Sequence, residues 1–547
     1  MESATGALAQ LSPFQLKDEL IRYARDQSRS KAATHKFLNA GRGNPNWIAT
    51  TPREAFFLLG QFAMDEARRT RDEGSLAGMP SSPGCASRLR AFLDASEQSP
   101  AGELLRSSLD YAVSRLGLDA EAFAHELVDG IVGDNYPEPD RMLVHTEHVV
   151  RRYLAKTMCN GRPPDGEFDL FAVEGGTAAM CYVFKSLVEN RILARGDTIA
   201  LGAPIFTPYM ELPRLSDYSF ATLEVQQSAM ADGRHTWQYT DGEIAKLADP
   251  KVKAFFLVNP SNPASYALDA ASRQRIVDLV RNERPDLIVL TDDVYGTFAE
   301  GFRSLAADLP RNTILVYSYS KHFGCTGWRL GVIALHQDNV LDAALTRLPA
   351  ADRDALRERY QTLSLTPERI KFIDRIVADS RDVALNHTAG LSTPQQVQMA
   401  LFSLFALLDT DDAYQNRCRQ LVRERLDALG RGLGFAIPDD PLRVGYYIDI
   451  DLAVWGRAAF GDEFDAYVAA HHDPLDVVIA LAKRSGIVLL NGSGFDGPLW
   501  SVRISMANLD VDAYETIGRE LRDLMRHAFA EWRRATDSVG AHKIADN

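Results

Sequence analysis

Short apolar runs alternate with helical stretches from about residue 168 onwards, and this alternation limits the possible folds more than any other feature of the sequence. Strands that are separated by helical connections favour a mostly parallel sheet with helices on both faces. The sequence therefore predicts an α/β fold whose large domain is built on such a sheet. The predicted strands are 169–173, 198–201, 254–258, 287–290, 313–316 and 330–335.

The remaining chain is too long for this one domain, because the sequence has 547 residues and single cores rarely grow beyond about 250–300 residues. Further predicted strands at 446–452, 487–490 and 501–505 lie beside helices and indicate a smaller α+β domain that takes chain from both ends. We predict three ranges. Residues 1–150 form an N-terminal arm, a substrate loop and a helical insertion, and part of this range belongs to the small domain. Residues 151–395 form the large domain, with a second helical insertion at about 340–385. Residues 396–547 form the C-terminal small domain.

Composition excludes several classes of protein. The net charge of −14 argues against binding to nucleic acid, which depends on clustered cations. No window approaches the roughly 20 apolar residues of a membrane span, and the N-terminus lacks the apolar core of a secretory signal. The 5 cysteines are scattered, and the 12 histidines form no HExxH pair. We therefore predict a cytoplasmic protein without a metal site.

Residues that could take part in catalysis or in ligand binding follow the predicted strands at their carboxyl ends, where open α/β sheets bind ligands. The segment Glu174-Gly-Gly-Thr opens a helix, and glycine amides at a helix N-terminus bind phosphate. The segment Thr-Asp-Asp-Val-Tyr places Asp292 and Tyr295 after another strand, and Lys321 lies before a glycine-rich turn. An amine, a carboxylate, a phenol and a phosphate-binding turn are together what pyridoxal phosphate requires.

These residues, and above all the segment SYSKHFGCTGWRLG, resemble the fold-type I pyridoxal-phosphate enzymes of the aminotransferase class I and II family. The resemblance extends from about Gly41 to Asn508. It implies an aspartate aminotransferase-like fold in which Lys321 is the Schiff-base lysine. It also implies that Asp292 binds the pyridine nitrogen and that Tyr295 contacts the ring hydroxyl.

The resemblance assigns further contacts with the cofactor. Asn262, in the segment NPSNP, would reach the ring hydroxyl, and Phe206 would stack on the ring. Tyr136 would reach the phosphate of the neighbouring subunit, so the minimal unit is expected to be a homodimer. The remaining phosphate ligands implied by the family are Gly176, Thr177, Ser318 and Arg329.

The same resemblance predicts how a substrate is bound. Arg503 would clamp the α-carboxylate, since the fork of a guanidinium binds a carboxylate through two hydrogen bonds. Asn262 would assist it. Arg42 lies beside Gly43 in the loop that family members fold over the substrate. It is our candidate for a cation that binds the other end of the substrate less tightly. The glycine that usually follows Asn262 in the family is absent here.

Two insertions, at about 75–130 and 340–385, lengthen the chain by more than a hundred residues over the usual family member. These insertions and the segments SYSKHFG and TDDVYGTF are similar to those of one branch of the family, the bacterial aspartate β-decarboxylases. That branch converts L-aspartate to L-alanine and CO2, with aspartate transamination as a side activity, and its insertions suggest assembly of dimers into a higher homo-oligomer. A plain aminotransferase acting on aspartate shares the cofactor motifs and stays an alternative. A non-catalytic regulator on this fold would need a basic DNA-binding face, which the net charge of −14 disfavours.

Overall fold

The computed structural model describes residues 8, 11, 13–29, 37–72, 78–96, 98–381 and 390–545. Its strands are β1 (Leu38–Asn39), β2 (Phe168–Val173), β3 (Thr198–Ala203), β4 (Ala221–Gln226), β5 (Met230–Ala231), β6 (Arg234–His235), β7 (Val252–Val258), β8 (Ile288–Asp292), β9 (Thr313–Ser318), β10 (Gly331–His336), β11 (Tyr447–Asp451), β12 (Ile487–Val488), β13 (Leu490–Asn491) and β14 (Ser501–Ser505).

Seven of these strands form the large sheet, in the order β2-β10-β9-β8-β7-β3-β4. Strand β10 runs antiparallel to both of its neighbours, and the other pairs are parallel. The predicted mostly parallel sheet is therefore confirmed, and each of its six predicted strands is present. Strand β4 was not predicted, because it lies at the sheet edge and only Val225 of its six residues is buried, which leaves no continuous apolar run.

Helices cover both faces of the large sheet. In chain order the helices are α1 (Pro13–Arg29), α2 (Thr50–Asp72), α3 (Cys85–Ala95), α4 (Pro100–Leu116), α5 (Ala120–Val132), α6 (Val144–Thr157), α7 (Gly176–Glu189), α8 (Thr207–Glu211), α9 (Asp241–Ala245), α10 (Ala270–Asn282), α11 (Leu305–Asp308), α12 (Val340–Arg347), α13 (Ala350–Tyr360), α14 (Phe372–Ser380), α15 (Thr393–Leu408), α16 (Ala413–Leu433), α17 (Leu452–Phe460), α18 (Asp462–His471), α19 (Asp476–Ser485) and α20 (Val511–Ala545). None of these described helices is long and apolar enough to cross a bilayer.

Two of the hydrophobic clusters show where the N-terminal helices pack. The first joins the large sheet to α2, α3, α4 and α5, for example through Leu59, Leu105 and Phe123. The second joins α1, α16, α19 and α20 to the C-terminal strands. The helices of residues 50–132 thus pack with the large sheet, whereas the arm at α1 packs with the C-terminal part. The three-range domain division itself stays a prediction.

The C-terminal sheet has one apolar and one polar face, because its side chains alternate. Strands β11, β14 and β13 pair antiparallel in that order. Ile448 and Ile504 belong to the second hydrophobic cluster. Tyr447, Asp449 and Arg503 point to the opposite face, which closes over the carboxyl ends of the large sheet and so completes the site described below.

The second insertion consists of α12, α13 and α14, and its last predicted residues, 382–385, lie outside the described part of the chain. It is fixed to α7 by the carboxylate of Asp379, which is 2% exposed. This carboxylate accepts hydrogen bonds from Ser186 (2.6 Å), Asn190 (2.9 Å) and Tyr360 (2.9 Å). Arg359 adds an ion pair at 2.9 Å.

Replacing Asp379 with alanine is expected to destabilise the protein by about 3 kcal/mol, because three buried donors and the partly exposed Arg359 lose their acceptor. The measurement is the melting temperature of the purified protein. The matched control is Asp354→Asn in α13, which breaks the exposed pair with Arg357 and should cost no more than about 0.5 kcal/mol. Equal melting temperatures for the two variants would contradict the structural role of Asp379.

Candidate active site

A cavity of about 450 Å³ lies between the carboxyl ends of the large sheet and the polar face of the C-terminal sheet. Of the predicted site residues, all but Tyr136 line it. They come from segments that are far apart in the sequence, so the fold alone brings them together. The residues are Arg42, Gly43, Gly176, Thr177, Phe206, Asn262, Asp292, Tyr295, Ser318, Lys321, Arg329 and Arg503.

Lys321 follows β9 and extends its amine towards the N-terminal loop. Its Nζ donates a hydrogen bond to the carbonyl oxygen of Gly43 at 3.0 Å. The hydroxyl of Tyr446 donates to the same oxygen at 2.8 Å. Trp47 anchors the turn from the other side by donating its indole N–H to the Lys321 carbonyl at 3.1 Å. The amine therefore lines the cavity and is held next to the predicted substrate loop.

Asp292 ends β8 and lies beneath the cavity, 5% exposed. Its carboxylate accepts a hydrogen bond from the Tyr209 hydroxyl at 2.6 Å and from the Val294 amide at 3.1 Å. Burial raises the pKa of Asp292 to about 6, and this rise is opposed by those two hydrogen bonds and by the charge of Lys321. A buried carboxylate of this kind is suited to binding a positively charged ring nitrogen.

Asp292→Asn is expected to stabilise the cofactor-free protein at pH 8, by an amount on the order of 3 kcal/mol. The folded pKa of about 6 lies above the usual unfolded value of about 3.9, so stability is lost as the pH rises from about 4 to above 6. Asparagine carries no such charge. The measurement is the melting temperature of cofactor-free protein between pH 4 and pH 8, with the exposed Asp278→Asn as control. A constant difference between wild type and Asp292→Asn across this range would contradict the charge argument.

The predicted phosphate-binding turn joins β2 to α7. Gly175 has a φ of 91°, a left-handed backbone that favours glycine, and a Cβ there would lie 2.4 Å from Nη2 of Arg329. Arg329 donates to the Glu174 carbonyl at 3.0 Å, so its guanidinium lies across the turn. Ser318 lies at the end of β9 and donates to the Ser320 hydroxyl at 3.0 Å. Backbone amides, a hydroxyl and a guanidinium thus converge where an anion would be bound.

Arg503 lies on β14 at the other end of the cavity and is 4% exposed. Its guanidinium donates to Asn262 Oδ1 at 3.2 Å and to the Gly41 carbonyl at 2.8 Å. Its Nε is buried and has no hydrogen-bond partner among the described residues. The centre of the guanidinium lies 4.4 Å from the Tyr447 ring and 4.8 Å from the Phe495 ring. A carboxylate would satisfy the unpartnered donor.

The remaining predicted residues differ in exposure. Arg42 is exposed at the rim of the cavity, and Phe206 is half-buried, with its ring 5.3 Å from that of Tyr209. Tyr295 is buried and donates from its hydroxyl to the Tyr447 hydroxyl at 3.2 Å. Tyr136 is 69% exposed and lies outside the cavity, so its contact with a neighbouring subunit stays a prediction.

Several lining residues were missed by the sequence analysis. Tyr209 could have been found, because it closes the segment PIFTPY that contains Phe206. Tyr447 was included in a predicted strand without a functional role, and Lys17 lies on α1, far from every motif. No spacing rule connects these last two residues with the sheet.

Comparisons with known proteins agree with this arrangement. The family described as "Aminotransferase class I and II" matches residues 172–519. A Pseudomonas protein named "Bifunctional aspartate aminotransferase and L-aspartate beta-decarboxylase" is 49% identical over 529 residues, which cover 96% of this chain and 98% of that protein.

Solved structures show the same architecture. The aspartate aminotransferase of Rhizobium meliloti has a TM-score of 0.58 at 15% identity and covers 95% of this chain and 98% of its own. The N-succinyldiaminopimelate aminotransferase of Mycobacterium tuberculosis has a TM-score of 0.55 at 16% identity, covering 94% and 97%. At these identities the likeness concerns the fold alone. The predicted aspartate aminotransferase-like fold is thereby confirmed.

Proposed function

Since this chain belongs to the class I and II aminotransferase family, we propose that it is a pyridoxal-phosphate enzyme that converts L-aspartate to L-alanine and CO2. Aspartate transamination is proposed as its side activity. The observation that carries this proposal is the match to the bifunctional Pseudomonas enzyme over nearly the whole of both chains. A match of that extent includes the two insertions, which an ordinary family member lacks.

The residues that line the cavity fit pyridoxal phosphate. Asp292 offers a buried carboxylate for the ring nitrogen, and Lys321 offers an amine for the aldehyde. Tyr295 and Asn262 line the same cavity and would reach the ring hydroxyl. The turn at Gly176 and Thr177, with Ser318 and Arg329, would bind the phosphate, and Phe206 would contact the ring.

When bound, the cofactor would supply two electron sinks, the electron-withdrawing ring for the pair left by the α-proton and its imine link to the substrate nitrogen for the pair left by departing CO2. Within the chain, Arg503 would bind the α-carboxylate and so fix the α-carbon in front of Lys321. Lys321 Nζ would remove the α-proton. After the bond to the β-carboxylate breaks and CO2 leaves, the β-carbon must gain one proton that comes ultimately from solvent. The α-carbon must also regain the proton that was removed from it before alanine is released. Lys321 is our candidate donor for both.

The β-carboxylate must lose its charge as it becomes CO2. A tight bidentate clamp on it would stabilise the ground state more than the transition state. The structure offers a buried, two-partner arginine at one end of the cavity and the exposed Arg42 at its rim. We assign Arg503 to the α-carboxylate and Arg42, with the adjacent Gly43, to the β-carboxylate end.

We further propose a cytoplasmic homodimer as the minimal unit, assembled into a higher homo-oligomer, with Tyr136 completing the neighbouring phosphate site. All five cysteines are free thiols. Burial raises the pKa of Cys325, next to the site, to about 12, which keeps it protonated and unreactive. These features are compatible with a reducing compartment.

The test of the proposed function is incubation of L-aspartate with pure enzyme and cofactor, without any added 2-oxo acid. We expect alanine and CO2 in equal amounts, far exceeding the amount of enzyme. Product that stops near one oxaloacetate per site, with the cofactor left as pyridoxamine phosphate, would instead identify the alternative, a plain aspartate aminotransferase.

A further inference from the structure

Tyr447 is the first residue of β11 and contacts both halves of the site. It is 2% exposed and lines the cavity. Its polar neighbours come from the large sheet, from the N-terminal loop and from β14. It therefore touches all three segments from which the cavity is built.

The first contact is with Tyr295 of the large domain. The Tyr295 hydroxyl donates to the Tyr447 hydroxyl across 3.2 Å. Burial raises the pKa of Tyr295 well above its usual range, so this phenol stays protonated and can act as the donor. The Tyr447 hydroxyl accepts this bond and keeps its own proton for a second partner.

The second contact is with the guanidinium of Arg503, which lies 4.4 Å from the centre of the Tyr447 ring. Phe495 provides another ring at 4.8 Å. Aromatic rings at this distance attract a guanidinium and restrict the orientation of its plane. The direction in which Arg503 presents its fork therefore depends on the Tyr447 ring, independently of the hydroxyl.

The third contact is with the N-terminal loop at Gly43. A Cβ built on Gly43 would lie 2.2 Å from the Tyr447 hydroxyl oxygen and 3.4 Å from Lys321 Nζ. The phenol and the amine thus flank the same backbone carbon, and a Cβ there would clash with the phenol while it lies at contact distance from the amine. This places the Tyr447 hydroxyl beside the amine proposed to move protons.

We propose that Tyr447 is a positioning residue for the reaction, whose ring orients the Arg503 guanidinium and whose hydroxyl holds the Tyr295 phenol in place. The proposal deepens the proposed function, since it rests on Arg503 binding a substrate carboxylate and on Tyr295 facing the cofactor. The two parts of the side chain have separable effects. Loss of the hydroxyl should change the absorbance of the bound cofactor and lower kcat. Loss of the ring should weaken substrate binding and so raise KM.

The experiment compares Tyr447→Phe with Tyr447→Leu in the holoenzyme. For Tyr447→Phe we expect KM for L-aspartate within about twofold of wild type and kcat lower by about five- to tenfold, the effect of one hydrogen bond. The pH at which the absorption band of the bound cofactor changes should shift in this variant, even without substrate. For Tyr447→Leu, KM should rise by at least a further fivefold or so, because the ring no longer orients Arg503.

The matched control is Tyr153→Phe, which removes a hydroxyl from another buried pair of tyrosines, 2.7 Å from the hydroxyl of Tyr317 and outside the cavity. It should leave KM and the cofactor absorbance as in wild type. If Tyr447→Phe behaves like this control, the role of the hydroxyl is refuted. If Tyr447→Phe raises KM as much as Tyr447→Leu does, the separation of ring and hydroxyl is refuted.

Failure of the proposed function would give a different result. Wild-type enzyme would then not turn over L-aspartate, while the absorbance shift in Tyr447→Phe would persist and support the contact with Tyr295. Should Tyr447→Leu not fold, as judged by its melting temperature, Phe495→Leu tests the orientation of Arg503 instead. It removes the second ring and should raise KM without shifting the cofactor absorbance, and an unchanged KM would overturn this part of the proposal.

Discussion

Lys321→Ala is expected to lower kcat for aspartate decarboxylation by roughly 10³-fold or more, the size of effect that general acid–base catalysis supplies. The reason is positional as well as chemical. Lys321 Nζ is held in the cavity by its bond of 3.0 Å to the Gly43 carbonyl. The variant would therefore lose both the proposed attachment of the cofactor and the proposed proton transfer.

Attachment and turnover can be measured separately. Reduction of wild-type holoenzyme with borohydride should fix the cofactor on the peptide that contains Lys321, as located by mass spectrometry. Lys17 is the matched comparison, because it is another lysine that lines the cavity. In Lys17→Ala the label should still be found on Lys321. A label on Lys17 in wild type, or a kcat for Lys321→Ala within about tenfold of wild type, would contradict the assignment.

The sequence was sufficient to predict the part of the site that belongs to the large sheet. Asp292, Ser318 and Lys321 each lie at or just after the carboxyl end of a strand whose apolar run is visible in the sequence. Parallel strands bring their carboxyl ends to the same edge of the sheet. Residues that follow different strands can therefore be predicted from the sequence to lie close together. The predicted phosphate-binding turn before α7 could be located in the same way, because it follows the carboxyl end of β2.

The part contributed by the C-terminal sheet and the arm could not be derived in this way. Tyr447 and Lys17 reach the cavity only because the second sheet packs over the first, which depends on contacts between residues hundreds of positions apart. The pattern at 446–452 predicted a strand, but it did not show which face would meet the cavity. Arg503 was found through family resemblance, and its stacking on Tyr447 was not.

Replacing Arg503 is expected to have the second largest effect, because it is a buried arginine that lines the cavity and is proposed to bind the substrate α-carboxylate. Arg503→Ala should lower kcat/KM for L-aspartate by roughly 10²–10³-fold, the loss of a charge-assisted bidentate bond. Arg503→Lys keeps the positive charge but loses the two-pronged guanidinium. It should therefore recover only a small part of the kcat/KM that is lost in Arg503→Ala. The matched control is Arg284→Lys, a buried arginine that binds backbone carbonyls such as that of Val252 at 2.7 Å, away from the cavity. It should keep kcat/KM within about threefold.

The assignment of Arg503 to the α-carboxylate can be tested with a substrate that lacks this charge. The α-amide of aspartate, L-isoasparagine, should be a poor substrate of wild type, because a neutral amide cannot accept the same pair of hydrogen bonds from a buried guanidinium. In Arg503→Ala, aspartate and its α-amide should become nearly equivalent, since the group that distinguishes them is gone. A double-mutant cycle over enzyme and substrate measures this coupling directly. If Arg503→Ala still preferred aspartate by the wild-type factor, Arg503 would not contact the α-carboxylate, and Arg42 at the rim would become the candidate for that role.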